Sequence, residues 1–200
     1  LDSALVSAEP YLFNWNTNNL DDGNYTIAVI AQDALTALNP VHTVGKQIAE
    51  AISVHDNSLS RSELRSRAVD LLDLVGISQP ETRVDNYPHE FSGGMRQRAL
   101  IAMCVANEPD LIIADEPTTA LDVTTQAQIL ALLKRLVRED DMGLIMITHD
   151  LAVVADMADR IAVMYHGKLV EEGPTAQVFD SPSADYTRSL LAAIPGAHAA

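Results

Sequence analysis

Two short runs decide the fold of this chain: residues 91–98, FSGGMRQR, and residues 111–116, LIIADE. In the first run a serine and two glycines stand where a helix begins, and paired glycines let a phosphate approach the N–H groups of that helix end. The second run is a short apolar strand that ends in two adjacent carboxylates, Asp115 and Glu116. One member of such a pair suits a Mg²⁺ shell, and the other suits the orientation or deprotonation of a water molecule. The two runs therefore indicate chemistry on a phosphate group.

Strands and helices alternate around these two runs, which is typical of an α/β fold with a parallel sheet layered with helices. The apolar periodicity separates buried strands from helices with one apolar face. The expected elements are a helix over 95–107, a strand over 111–114, a helix capped by Asp122 that ends near 137, a strand over 144–147, a helix over 151–158, and a hairpin of strands 161–165 and 168–171.

The stretch before the first run has helical rather than strand periodicity. Apolar residues recur at helical spacing between residues 43 and 55. Ser60 and Glu63 have the spacing of a capping box at the start of a second helix, and Gly76 is a plausible end for it. These elements predict a small helical subdomain, which the loop 78–90 joins to the helix that follows.

Composition limits the class of protein. The chain has 200 residues, 48% of them hydrophobic, and a mean hydropathy of +0.05, which fit one packed domain. A net charge of −15 argues against nucleic acid as a partner, because phosphates would be repelled. The single cysteine, Cys104, lies in an apolar helical run and predicts a buried thiol in a reducing compartment. No uncharged run approaches the ~18–20 residues of a membrane span, and no signal peptide is visible.

The two runs, followed by Thr148-His149-Asp150, resemble the signature, Walker B and switch-histidine motifs of ABC-type ATPases. Over about four-fifths of the chain, from residue 32 to 195, the sequence resembles the ATP-binding subunits of oligopeptide/dipeptide (or nickel) ABC importers. The segments that carry this likeness are 38–40, 87–98, 117–128 and 172–195. The resemblance implies part of an ABC-type P-loop NTPase, with a RecA-like parallel sheet layered with helices and a helical signature subdomain.

The resemblance also implies roles for individual residues. Glu116 and His149 are the expected catalytic residues, the first polarising water and the second contacting the γ-phosphate. Gln32, in the stretch AQDALTALNP of residues 31–40, resembles the family's glutamine loop, although Ala34 stands where proline is common. Asp115 and Gln32 are the expected Mg²⁺ ligands. The expected ATP-binding residues are Gln32, Ser92, Gly93, Gly94, Gln97 and Asp122, with the serine and its glycines acting on a nucleotide held by a partner subunit.

The G-x-x-x-x-G-K-[ST] phosphate loop (Walker A) that should hold the phosphates in cis is missing from these 200 residues. Gly45-Lys46 and Gly167-Lys168 are the two Gly-Lys pairs, and neither is followed by serine or threonine. We therefore expect this chain alone to bind ATP weakly and not to hydrolyse it measurably. Truncation, fusion and a degenerate subunit each explain the missing loop, and a first residue of Leu suggests a fragment or processed chain.

Residues 1–31 differ in composition from the rest, with many Asn, Asp and Thr residues. We expect a strand over 25–30 with a hairpin partner at 12–15. Two interpretations stay open, a hairpin of an immunoglobulin-like module and the antiparallel β-region that precedes the glutamine loop in ABC ATPases. The expected organisation is an atypical β segment (1–31), a part with the glutamine loop, helical subdomain and signature (32–100), a Walker B and switch-histidine half (101–172), and a tail (173–200).

The implied function is the coupling of ATP hydrolysis to peptide uptake by a peripheral subunit at the cytoplasmic face of the inner or plasma membrane. Its implied partners are a second ABC ATPase subunit, in a homo- or heterodimer, and transmembrane permease subunits docked on the helical subdomain. One alternative is a non-hydrolysing fragment or fusion that donates only the signature face to a partner's ATP site. Another is a non-transport ABC protein of DNA repair or translation, which should show a coiled-coil insertion or tandem cassettes. The sequence shows neither feature.

Overall fold

The structure is a computed structural model that describes residues 5–6, 13–14, 25–139 and 141–193. The chain divides into two compact units, residues 24–147 and a second unit of residues 148–200 with 1–23. In chain order the strands are β1 (Leu5–Val6), β2 (Phe13–Asn14), β3 (Ile27–Ile30), β4 (Leu111–Asp115), β5 (Gly143–Ile147), β6 (Arg160–Tyr165) and β7 (Lys168–Pro174). The α-helices are α1 (Ala34–Ala37), α2 (Val44–Ser53), α3 (Arg61–Leu74), α4 (Pro80–Arg83), α5 (Gly93–Val105), α6 (Val123–Glu139), α7 (Leu151–Met157), α8 (Thr175–Asp180) and α9 (Asp185–Ala192).

A three-stranded parallel sheet forms the centre of the unit 24–147, in the order β3-β4-β5. Ile27 pairs with Leu111 at one end of the β3–β4 register, and Asp115 pairs with Ile147 at the far end of β4 and β5. The expected α/β fold with a parallel sheet and helices is confirmed. Because the strands run in parallel, the residues that follow β3 and β4 emerge at the same edge of the sheet.

Among the described residues 13–14 and 25–30, the expected hairpin between residues 12–15 and 25–30 is not formed. β2 pairs instead with β1 in a short antiparallel ladder, and β3 pairs with β4 in the parallel sheet. The apolar run of β4 lies between two parallel neighbours and is almost fully buried, and the Ile30 end of β3 is buried beside it. In the sequence, a strand that is buried in this way is a short apolar run, and such a run does not indicate which strand it pairs with.

Helix α5 joins the sheet to the helical subdomain. It contacts β3, α1, α2, α3 and α6, and its inward face is completely or almost completely buried. The core of this unit has fully buried aliphatic side chains from every layer, of which the largest are Ile30, Leu38, Val44, Ile48, Ile52, Leu72, Val75, Ile101, Ile112, Ile129, Leu133 and Leu136. The position of the signature helix is therefore fixed on several sides by apolar packing.

Local signals in the sequence set the ends of α3. Ser60 Oγ accepts from the N–H of Glu63 at 3.4 Å, and Glu63 Oε2 accepts from the N–H of Ser60 at 2.7 Å, so the predicted capping box is present. Gly76 then takes a φ of +77° directly after the helix, in the left-handed region that glycine adopts without strain. Both boundaries therefore agree with the sequence prediction.

Two arginines bind the carbonyl groups at the end of α3. Arg98 of α5 donates to Val75 O and also to Gln128 Oε1 of α6, the latter at 3.2 Å. Arg135 of α6 donates to Leu74 O. Burial, with a smaller effect from Arg135, lowers the pKa of Arg98. Cations at a helix C-terminus are favourable, so these contacts fasten the helical subdomain to α5 and α6.

The second unit contains the antiparallel β6–β7 hairpin, with a bulge at Val163/Met164. Its turn residues, His166 and Gly167, have φ of +47° and +72°, as a tight hairpin turn requires. The N-cap residue of helix α9 is Ala184, whose side chain cannot accept a hydrogen bond from the helix. Glu171 on β7 supplies the acceptor instead, at 2.6 Å from the N–H of Ser183 and 3.1 Å from that of Ala184.

Candidate functional site

The signature run forms the N-terminus of α5, as the sequence predicts. Ser92 caps the helix by accepting from the N–H of Met95 at 3.3 Å, and Ser92 and Gly93 are exposed. A Cβ on Gly94 would lie 2.4 Å from Thr125 Cγ2 on α6, whereas one on Gly93 would lie 3.5 Å from Leu121 Cδ2. The second glycine is therefore needed for the close approach of the two helix ends. The exposed N-terminus of α5 presents backbone N–H groups of the kind that can bind an anion.

Asp115 and Glu116 lie at the carboxyl edge of the parallel sheet. Asp115 is the last residue of β4, and the N–H of Glu116 donates to Ile147 O at 2.9 Å. Glu116 has a φ of +43°, which is uncommon for a residue other than glycine. Asp115 has the extended backbone of a strand and Glu116 a left-handed one, so the backbone changes direction between the two adjacent carboxylates. A strained residue at such an edge is a frequent feature of active sites.

The structure brings Gln32 to Glu116, although 84 residues separate them. Gln32 comes two residues after β3, and its Nε2 donates to Glu116 Oε2 at 3.0 Å. Parallel pairing of β3 with β4 places both residues at the same sheet edge. Gln32 and Glu116, which are both predicted from the sequence, are therefore in direct side-chain contact.

Thr119 also binds Glu116, and the sequence analysis assigns it no role. Its Oγ1 donates to Glu116 Oε2 at 2.7 Å, and its N–H donates to Glu116 O at 3.1 Å. The signal that could have identified it is a hydroxyl residue three positions after a carboxylate, the spacing of a turn. Such spacings are common, so this signal has little weight without the structure.

Asp122 caps α6. Its Oδ1 accepts from the N–H of Thr125 at 2.9 Å, and its Oδ2 accepts from Thr125 Oγ1 at 2.6 Å. The Thr125 hydroxyl, followed by the backbone N–H, lowers the pKa of the Asp122 carboxyl. The predicted helix cap is thus present, and the role of Asp122 toward a nucleotide stays a prediction.

Gln97 differs from Ser92 and Gly93, which are exposed. Its side chain is buried, at 4% exposure, and within the described part of the chain its Nε2 has no hydrogen-bond partner. Its expected contact with ATP stays a prediction, and the structure places the residue on the inward face of α5.

His149 belongs to the second unit, in the segment that follows β5. It is exposed, and it lies between Thr148 and Asp150. Asp150 caps α7 by accepting from the N–H groups of Ala152 at 2.9 Å and Val153 at 3.3 Å. The role of His149 toward a γ-phosphate stays a prediction.

The carboxylate and amide groups at this sheet edge fit a magnesium ion. Mg²⁺ prefers hard oxygen ligands, and in phosphoryl-transfer sites it takes one or two protein carboxylates together with phosphate oxygens and water. Asp115 and the amide oxygen of Gln32 are ligands of this type. Over residues 25–139 and 141–193 and the short N-terminal strands, no group of three or more His, Cys, Asp or Glu side chains is arranged around one metal position. None of the helices described here is long and apolar enough to cross a membrane.

Comparison with known families and proteins gives consistent matches. The family model described as ABC transporter matches residues 12–119, just over half of the chain. The oligopeptide transport ATP-binding protein OppD of Bacillus subtilis is 56% identical over 169 residues, which are 84% of this chain and 47% of OppD. The dipeptide transport ATP-binding protein DppD of Haemophilus influenzae is 53% identical over 169 residues, covering 84% of this chain and 51% of DppD.

The glutathione import ATP-binding protein GsiA of Escherichia coli is 55% identical over the same length, with 84% of this chain and 27% of GsiA covered. The chain thus spans about half the length, or less, of these curated relatives. Among solved structures, the ATP-binding cassette MJ0796, a dimer in a post-hydrolysis state bound to ADP and Pi, matches with a TM-score of 0.66 and 31% identity. That match covers 80% of this chain and 69% of the solved one.

Proposed function

This chain belongs to the ABC transporter family, and from that premise we propose that it is part of an importer's ATP-binding subunit that couples ATP hydrolysis to peptide uptake. The observation that carries the proposal is the contact between Gln32 and Glu116 at the carboxyl edge of the sheet. This contact brings together the residue that we assign to the glutamine loop and the carboxylate that we propose activates water. The relatives named for oligopeptide, dipeptide and glutathione transport support peptides as the cargo class.

Each residue at the site has a distinct task in this proposal. Asp115 and Gln32 hold Mg²⁺, which neutralises phosphate charge when it is bound. Glu116 orients the attacking water and accepts its proton, and Gln32 fixes the position of that carboxylate before nucleotide binds. Ser92, with the N–H groups of Gly93 and Gly94, binds the γ-phosphate of a nucleotide held by a partner. The further proposed contacts to ATP are those of Gln97, Asp122 and His149.

The proposed assembly is a dimer of ATP-binding subunits attached to transmembrane permease subunits. The dimeric state of the solved relative supports the first part, because a signature face needs a second subunit to close on. We place the subunit peripherally at the cytoplasmic face of the membrane, where ATP is available. The helical subdomain built from α2 and α3 is the proposed docking region for the permease.

A second candidate function follows from the absence of a phosphate loop within residues 1–200. In this alternative the chain donates only its signature face to a partner's ATP and hydrolyses nothing at its own sheet edge. The two functions differ in one respect. Glu116 is essential in the first function and dispensable in the second, whereas Ser92 is needed in both.

A hybrid protein tests the proposal. The phosphate-loop segment of Bacillus subtilis OppD is placed before Gln32 of this chain, and ATP turnover and dimerisation are measured. We expect Glu116→Gln to reduce turnover by ~10²–10⁴-fold while trapping an ATP-bound dimer, because it removes the base and spares binding. Ser92→Arg should prevent dimer closure without abolishing nucleotide binding. Glu139→Gln, at an exposed carboxylate at the end of α6, is the matched control.

Two outcomes would contradict the proposal. Unchanged turnover in the Glu116→Gln hybrid would show that the carboxylate pair is structural. A hybrid that dimerises on ATP through Ser92 but never hydrolyses it would favour the second candidate function.

A further inference from the structure

The carboxylate of Glu116 accepts a hydrogen bond from a residue to which the motifs give no role. Thr119 Oγ1 donates to Oε2 at 2.7 Å, and Gln32 Nε2 donates to the same oxygen at 3.0 Å. We propose that Thr119 is a positioning residue, whose hydroxyl holds the Glu116 carboxylate in a fixed orientation at the sheet edge. This inference rests on the proposed function, because it deepens the role given there to Glu116.

The hydroxyl is delivered by a locally closed turn. The N–H of Thr119 donates to Glu116 O at 3.1 Å, and Pro117 between them is buried. With the backbone closed in this way, the only freedom left to the Thr119 side chain is rotation about χ1. Threonine is restricted in that rotation because its Cβ carries two heavy atoms. The turn therefore holds the Thr119 hydroxyl close to the Glu116 carboxylate with little rotational freedom.

Gln32 is a donor of a different kind. It reaches Glu116 across 84 residues, from a segment outside the turn, and its long side chain has several rotatable bonds. A movement of the segment after β3 removes the Gln32 contact and leaves the Thr119 contact intact. Thr119 is thus the donor that stays with Glu116 when Gln32 turns to another ligand.

The Thr119 hydroxyl is not needed to form the turn itself. The backbone hydrogen bond closes residues 116–119 without it, and the Thr119 side chain is exposed, so replacement by valine removes little packing. Loss of the hydroxyl therefore acts on the Glu116 carboxylate rather than on the fold. Thr118, the preceding residue, provides a matched control, because its hydroxyl makes no hydrogen bond to Glu116 within the described part of the chain.

The test measures the side-chain order of Glu116 by NMR relaxation of its Cγ methylene in the whole chain at neutral pH, with Glu116→Gln used to assign the signal. A carboxylate that loses a fixed donor samples more rotamers, so Thr119→Val should lower the order parameter of this side chain by at least ~0.2. Thr119→Ser keeps the hydroxyl and should restore most of the lost order. Thr118→Val should leave the order parameter unchanged.

Three results would overturn the inference: a Glu116 order parameter in Thr119→Val equal to that of the wild type, an equal loss of order in Thr118→Val, or no rescue by Thr119→Ser. Thermal unfolding of each variant shows whether it folds, and Thr119→Ala replaces Thr119→Val if the latter does not. The relaxation measurement needs no nucleotide, so it decides the role of Thr119 separately from the proposed function. A hybrid without ATP turnover refutes the proposed function and leaves the relaxation result standing.

Discussion

Gly94 allows the close approach of α5 and α6, and its replacement by alanine measures how tightly these helices are packed. A Cβ at this position would lie 2.4 Å from Thr125 Cγ2, so one of the two must move by about 1 Å to reach an ordinary contact distance. Thr125 cannot simply rotate away, because its hydroxyl donates to Asp122 Oδ2 at 2.6 Å. The clash therefore falls on the backbones of the two helices.

The expected magnitude combines two opposing effects. Overpacking of a closely packed contact costs ~1–3 kcal/mol. Alanine in place of glycine within a helix gains ~0.5–1 kcal/mol. The two ranges give a net loss between about 0 and 2.5 kcal/mol, so we expect Gly94→Ala to lower the free energy of unfolding by about 1 kcal/mol. Gly93→Ala is the control, because its Cβ would lie at an ordinary 3.5 Å from Leu121 Cδ2, and it should be neutral or slightly stabilising.

Urea unfolding followed by circular dichroism gives these free energies. The double variant Gly94→Ala/Thr125→Ser removes Cγ2 and keeps the hydroxyl bonded to Asp122, so it should recover most of the lost stability relative to Thr125→Ser alone. If Gly94→Ala were as stable as Gly93→Ala, or if Thr125→Ser gave no recovery, the helices would not be in the close contact described here.

Three further changes probe other parts of the chain. The Thr187 hydroxyl, followed by the N–H of Ser183, lowers the pKa of Glu171 to about 2. The ionised Glu171 carboxylate should therefore stabilise the fold fully above the ordinary carboxyl pKa range, and this stabilisation should be lost as the pH falls toward 2. The urea unfolding midpoints of the wild type and of Glu171→Gln should accordingly differ at pH 6 and converge at pH 2. Burial raises the pKa of the Cys104 thiol to about 12. A disulfide reagent at pH 8 should therefore react with Cys104 on the order of 10²–10³-fold more slowly than it reacts with free cysteine. Complete labelling of Cys104 within seconds would contradict this expectation. Gly76→Ala puts a Cβ on a backbone in the left-handed region, 3.0 Å from Arg98 Nη1, and the left-handed strain should lower the free energy of unfolding in urea by ~1–2 kcal/mol. No loss of stability would show that the backbone at residue 76 can leave the left-handed region.

Local features of the fold were predictable because their causes are local. The capping box at Ser60 and the helix end at Gly76 follow from residues within one turn of the boundary. The buried strands β4 and β5 follow from short apolar runs and differ from the expected bounds by one residue. The strand near residue 27 was expected, but its pairing was wrong, because an apolar strand does not indicate its neighbour in a parallel sheet.

The candidate site shows the same division between local and long-range causes. Each residue of the Asp115–Glu116 pair and of the Ser92–Gly94 run was identified from the sequence, since its motif is contiguous. The contact of Glu116 with Gln32 depends on the alignment of β3 with β4, and the burial of Gln97 depends on how α5 packs. Neither is encoded within a single segment. Thr119 lies within one turn of Glu116 and was still missed, because a hydroxyl residue at that spacing is too common to be selected without coordinates.

The two glycines of the signature run, Gly93 and Gly94, differ in the space that a side chain would find. Gly93 has room for a Cβ, so internal packing does not explain its missing side chain, whereas the proposed approach of a phosphate to the exposed helix end would. Gly94 has no such room, because Thr125 already fills the space. Substitutions at the two positions should therefore separate by readout. Gly93→Ala should leave unfolding unchanged and weaken ATP-driven dimerisation of the hybrid, whereas Gly94→Ala should lower stability in the chain alone. Equal loss of stability at both positions would mean that packing, and not ligand approach, explains the pair.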